Sequence, residues 1–146
     1  MDILPKQMVI LNGLRKKSRN TYLAALKSGY FPFPDALNIV VSHQKIENRW
    51  GEKVLITNKA PKEIIEILEQ KGFTTAFLAG GGQLNTSFVK ENLINEIYLD
   101  VEPLIIGQGI KIFAEADFEL ELELFETKKL NPNTVQLHYK VIKSII

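Results

Sequence analysis

The chain has 146 residues, of which 24% are charged and 45% belong to the AVILMFWYC set, with eighteen Lys and Arg against seventeen Asp and Glu. That length supports one domain (1–146) burying roughly 68–70% of its unfolded surface, and a formal charge of +1 gives no global field to recruit nucleic acid or a membrane surface. With no cysteine there is no disulfide, no thiolate nucleophile and no cysteine-bound zinc, and no apolar run reaches the about 18–20 residues of a membrane span.

In chain order, Met8 to Leu11 reads as a short buried strand ended by Asn12-Gly13. Arg15, Lys16, Lys17 and Arg19 then crowd before Thr21 to Leu26, which has helical character and a stop at Gly29. Cations at a helix start oppose its dipole, so the cluster is either a solvated surface run or one side of an anion site. Pro32 and Pro34 mark a loop, and Leu37 to Val41 is a fully buried strand ending on Ser42-His43-Gln44. In an α/β sheet ligands bind outside the carboxyl ends of the strands, which gives those polar residues weight.

Lys53 to Thr57 is the next strand. A helix follows, with Pro61 at its first position, Glu63 in its first turn, Ile64, Ile65 and Leu68 on its apolar face and Gly72 at its end. Thr75 to Ala79 is a strand that breaks on Gly80-Gly81-Gly82 and restarts with helical spacing at Gln83-Leu84. Glycines let the backbone turn sharply and approach a ligand, and the new helix offers unpaired N–H groups, so the turn is suited to a phosphate. The same triplet also fits a plain tight βα loop. Two consecutive βα units predict a parallel sheet with right-handed crossovers.

Ile97, Leu99 and Val101 alternate with Tyr98, Asp100 and Glu102 in a two-faced strand, whose acids read as solvated face residues. Gly107 to Phe113 is a structural loop with apolar anchors. Leu120, Leu122 and Leu124, then Val135, Leu137, Tyr139 and Val141, define a hairpin turning at Asn131-Pro132-Asn133. A register setting Glu121 near Lys140 and Glu123 near His138 is expected, with His138 on the solvent face.

Leu78-Ala79-Gly80-Gly81-Gly82-Gln83-Leu84, Ser87-Phe88 and Leu93-Ile94-Asn95-Glu96-Ile97, together with Pro103 to Gly109 and Phe113, resemble motifs of the dihydrofolate-reductase-like superfamily. The closest branch is that of the C-terminal reductase domain of bifunctional riboflavin-biosynthesis proteins. Ser18-Arg19-Asn20-Thr21-Tyr22 is similar to the superfamily's Gly-Arg-x-Thr-aromatic turn, and Val40-Val41-Ser42-His43 to its strand ending in Ser and a basic residue. The resemblance runs from about Ser18 to Val141.

It implies an α/β fold with three layers: a mostly parallel central sheet, helices on both faces and an antiparallel C-terminal hairpin. It also implies NADPH, with phosphates at Gly80, Gly81, Gly82, Gln83, Leu84 and at Arg19, Asn20 and Thr21, and the adenosine and its 2′-phosphate near Ser42 and His43. A cis peptide within the glycine pair, a small heterocyclic substrate of the pyrimidine or pteridine kind, a homodimer and a cytoplasmic setting belong to the same expectation. Ser18 departs from the usual glycine, and Gln83 stands where some relatives carry an Arg. Seventeen residues precede Ser18 where the family places a strand, a mobile loop and a helix. No catalytic proton donor is assigned, Asp2 being the only acid in that stretch, and weak or absent turnover is expected. A non-catalytic nucleotide-binding or assembly protein is the alternative; a nucleic-acid binder built on Arg15 to Arg19 ranks last.

Overall fold

A computed structural model describes residues 7–12, as backbone, and 21–145. The basic cluster at 15–19, with the expected site residues Arg19 and Asn20, lies outside them. Four parallel strands form one sheet in the order β3-β2-β1-β4: β1 (Gln7–Asn12), β2 (Ala36–Val41), β3 (Val54–Thr57) and β4 (Phe77–Leu78). Three antiparallel strands form a second, β5-β7-β6: β5 (Glu96–Val101), β6 (Glu119–Asn131) and β7 (Thr134–Ile145). The helices are α1 (Thr21–Ser28), α2 (Pro61–Gln70) and α3 (Gly82–Lys90).

The parallel sheet and the hairpin agree with expectation. Among the described residues the hydrogen-bonded pairing forms these two sheets, with no ladder between β4 and β5. β4 is also shorter than the expected Thr75 to Ala79, with only Phe77 and Leu78 paired to β1.

β2 positions the core, since its successive side chains point to opposite faces. Ile39 is buried with Ile64 and Leu68 of α2 and Leu84 and Phe88 of α3. Val40 is buried with Tyr22 of α1, Phe31 and Val54. Tyr22, Phe31 and Trp50 meet edge to face at centroid separations of 5.0–6.2 Å, a geometry that adds stabilisation beyond buried area. Asn38 sits fully buried between these layers and spends its polar atoms on the chain turn before it: its amide donates to the carbonyls of Phe33 and Ala36, and its oxygen accepts from Phe33 N–H. A buried amide is tolerated only when satisfied in this way.

The hairpin differs in register from the sequence expectation. Glu121 faces Lys143, Glu123 faces Lys140 and Glu126 faces His138, with irregularities at Glu121/Leu122 and Leu124/Glu126. The extra residue is Ile142 on β7 at the first and Phe125 on β6 at the second, and each shifts the partners beyond it, which strict alternation cannot reveal. His138 is a second correction. It is 7% exposed, its ring stacks on Tyr98 at 4.0 Å, and its Nε2 lies 2.9 Å from a Glu96 oxygen. Large rings on the neighbouring strands cover it. The polar face of β7 is therefore not a solvated one there.

The segment 107–113 is a loop as expected, but its anchors are not the aliphatic side chains: Ile110 and Ile112 are exposed. Backbone contacts to α3 hold it instead, as described below. Gly29 and Gly72, which follow α1 and α2, have φ of +75° and +82°, as helix-ending glycines require.

At the start of α2, Ala60 has no side-chain acceptor, so only the returning half of a capping box forms: Ala60 N–H donates to Glu63 at 2.9 Å. That bond, then Lys59, lowers the Glu63 pKa. A carboxyl whose folded pKa is depressed contributes stability above its unfolded value and loses it as pH falls through the folded one. Chemical denaturation of Glu63→Gln should therefore show a loss relative to the parent at pH 7 that shrinks as the pH falls below the ordinary glutamate value of about 4.3 and is gone once the folded carboxyl is protonated. A loss that persists at low pH would mean that the carboxylate charge is not what stabilises this helix start.

Candidate functional site

The glycine turn is built by three residues with three different constraints. Gly80 has φ of +93° and the Gly80–Gly81 peptide is cis, as the resemblance led us to expect. Gly82 is required by packing: a Cβ there would lie 2.8 Å from the Lys111 carbonyl oxygen and 3.2 Å from the Ala114 nitrogen. Gly81, the residue preceding α3, is the open one, for a Cβ would meet only Oγ1 of Thr21 at 3.6 Å.

The structure thus brings together two pieces that are sixty residues apart. Thr21 opens α1 and Gly81 caps α3, so two helix N-termini converge. The first intrahelical bond of α3 runs from Asn85 N–H to the Gly81 carbonyl. It leaves the N–H groups of Gly82, Gln83 and Leu84 without an intrahelical acceptor at the positive end of the helix dipole. Gln83 is exposed, and Leu84 is buried in the core.

A cavity of about 250 Å³ opens at the carboxyl ends of β2 and β3, between the start of α2 and the flank of α3. His43, Asn58, Lys59 and Ser87 supply its polar lining, with Val41, Ile64 and Leu84 beneath. No acidic side chain lines it among the described residues. His43 is exposed there. Ser42 is not: it is buried, and its hydroxyl donates to the Gln44 carbonyl and accepts from Gln44 N–H, so it shapes the turn that presents His43.

Asn58, Lys59 and Ser87 were missed in the sequence. The loop after the strand ending at Thr57 was a legible signal for the first two, by the same carboxyl-end rule that singled out His43. Ser87 requires knowing how α3 is rotated. Asn85 is a further member of the turn: its side-chain amide lies against Gly80 and donates to the Ile112 carbonyl at 2.8 Å, while its buried oxygen has no partner among the described residues. Among the described residues no group of three or more metal-ligating side chains forms, and no helix is long and apolar enough to cross a membrane.

The three glycines should therefore respond differently to alanine. Gly82→Ala forces the 111–114 backbone away and should cost about 1–3 kcal/mol in chemical denaturation, as overpacking does. Gly81→Ala, whose Cβ would meet only Thr21 Oγ1 at 3.6 Å, should leave stability nearly unchanged. Equal stability losses in the two variants would refute this division of roles.

The model of the RibD C-terminal domain family matches residues 30–136. Among curated proteins, the chain is 32% identical to YwjB of Bacillus subtilis over 109 residues, covering 75% of this chain and 62% of YwjB. It is 23% identical to YyaP of the same organism over 95 residues, covering 65% and 50%. The chain thus spans between half and two thirds of the length of these relatives. Among solved structures, one described as a candidate riboflavin biosynthesis protein from Shewanella sp. PV-4 shares the fold, with a TM-score of 0.74 at 24% identity over 94% of this chain and 75% of that one. With the glycine turn, the carboxyl-end cavity and this family match spanning most of the sequence, the chain belongs to the RibD C-terminal domain family.

Proposed function

We propose that the chain binds NADPH and serves hydride transfer to a pyrimidine or pteridine-like heterocycle of riboflavin- or folate-type metabolism. The observation that carries this reading is the convergence of Thr21 and Gly81 at two helix N-termini, near a cavity whose polar lining, among the described residues, contains cationic and neutral groups and no acid. Family membership and the burial of β2 on both faces support the three-layer dihydrofolate-reductase-like arrangement in which such a site belongs.

In this reading the N–H groups at Gly82 to Leu84, Thr21 and the preceding Arg19 and Asn20 take the pyrophosphate. Gly81 allows close backbone approach. His43 and Lys59 take the 2′-phosphate, and the absence of an acid from the cavity lining fits that choice, because a carboxylate there would favour ribose hydroxyls instead. The nicotinamide supplies the hydride; the protein's part is to orient the ring, exclude water and neutralise the phosphates. The alternative is nucleotide binding without turnover on the same fold.

Trp50 packs on Tyr22, next in sequence to Thr21, and is the sole tryptophan, so its fluorescence is a usable probe. Titration should show NADPH binding more tightly than NADH. Lys59→Ala should narrow the gap several-fold, about 1 kcal/mol or less for a half-exposed cation. Equal affinity for both cofactors would remove the 2′-phosphate assignment, and binding of neither would remove the reading. Slow or absent NADPH oxidation with a ribosylamino-pyrimidine despite binding would select the alternative.

A further inference from the structure

Among the described residues, neither helix start that converges on the glycine turn carries a charged side chain. α1 opens on Thr21, Tyr22 and Leu23 and α3 on Gly82, Gln83 and Leu84, so these turns offer an anion backbone N–H groups and the helix dipoles. A cation is brought to α3 by packing instead. The Lys111 carbonyl lies 2.8 Å from where a Gly82 Cβ would be, closer than any side chain there would tolerate. Lys111 is thereby anchored beside the first residue of α3, with its ammonium on a flexible four-carbon stem.

The same packing supplies that ammonium with a partner. Ala114 N–H donates to the Gly82 carbonyl at 3.2 Å and to the Thr86 hydroxyl at 2.9 Å, which holds the chain against α3 one residue before Glu115. Lys111 Nζ forms an ion pair with the Glu115 carboxylate. The two side chains are 66% and 86% exposed, and an ion pair so open to solvent is weak. A diphosphate carries more negative charge than one carboxylate and offers more oxygens to charge-assisted hydrogen bonds. Bound at the start of α3, it would compete with Glu115 for the same lysine.

We propose that Lys111 is a further binding residue for the cofactor's diphosphate. In the free chain Glu115 holds its ammonium; when the cofactor binds, Lys111 exchanges that carboxylate for a phosphate oxygen and Glu115 is released to solvent. The inference rests on the NADPH reading of the glycine turn and adds a division of labour to it. Lys59, in the loop after β3, meets the 2′-phosphate that NADPH has and NADH lacks. Lys111 meets the diphosphate that both share. Glu115 sets how tightly either dinucleotide binds, by competing for the cation.

Trp50 fluorescence titrations with NADPH and with NADH test this on the parent, Lys111→Ala, Glu115→Gln and the double variant. The contacts of residues 111–114 with Gly82 are made by backbone atoms, so these substitutions leave them in place. Lys111→Ala should weaken both dinucleotides by the same factor, about two- to fivefold, and leave their affinity ratio unchanged. Glu115→Gln should tighten both about twofold, and the gain should vanish in the double variant, because a released Lys111 is what produces it. Lys90→Ala, which removes an equal charge from the last turn of α3, should change neither affinity. Unchanged affinity in Lys111→Ala, a loss confined to NADPH, an equal loss in Lys90→Ala, or a Glu115→Gln gain that is absent or survives without Lys111 would overturn the proposal and leave the cofactor reading standing. Failure of the parent to bind either dinucleotide would remove both.

Discussion

The structure turns on the room left by one missing methyl group. Because Gly82 has no Cβ, the Lys111 carbonyl can sit 2.8 Å from where that atom would be, and the backbone of the loop after β5 lies directly on the first turn of α3. Around this contact Ala114 N–H reaches the Gly82 carbonyl and the Thr86 hydroxyl, and Asn85 reaches the Ile112 carbonyl. Each bond is worth only about 1 kcal/mol net. Together they fix the start of α3 relative to a loop almost thirty residues later, and so fix Gly81 against Thr21. A helix N-terminus is useful for anion binding only if its free N–H groups are held in place, and this clamp holds them.

Burial divides the molecule unevenly. The parallel sheet has helices contributing to the core on each face of β2, whereas the second sheet leaves Tyr98, Val101, Leu124 and Phe125 exposed. The candidate cofactor site belongs wholly to the well-packed half. Its parts are the carboxyl ends of β2 and β3 and the starts of α1 and α3, where short βα connections place backbone donors by geometry alone.

Much of this was legible in the sequence because it depends on local rules. Pro61, Gly29 and Gly72 marked helix ends by their backbone preferences, and the run Leu37 to Val41 could only be a buried strand. The glycine triplet announced a turn, but not that Gly82 serves packing and Gly81 access, since the atoms that decide it belong to residues 111–114. The hairpin register failed for a related reason: bulges at Glu121/Leu122 and Leu124/Glu126 follow from twist and packing, not from alternation. His138 was misplaced because Tyr98 and Phe125, which cover it, sit on other strands. Local signals located the elements; contacts far apart in sequence assigned the residues their tasks.

The central claim is that Gly81, Thr21 and the cavity at the ends of β2 and β3 form one site. Chemical-shift mapping of the backbone amides with NADPH tests it most directly. The account predicts a continuous set of perturbations at Thr21, His43, Lys59, Gly81 to Leu84 and Ser87, with β6 and β7 unaffected. Perturbations confined to the exposed rings Phe77, Tyr98 and Phe125, or scattered without reaching Gly81, would contradict it.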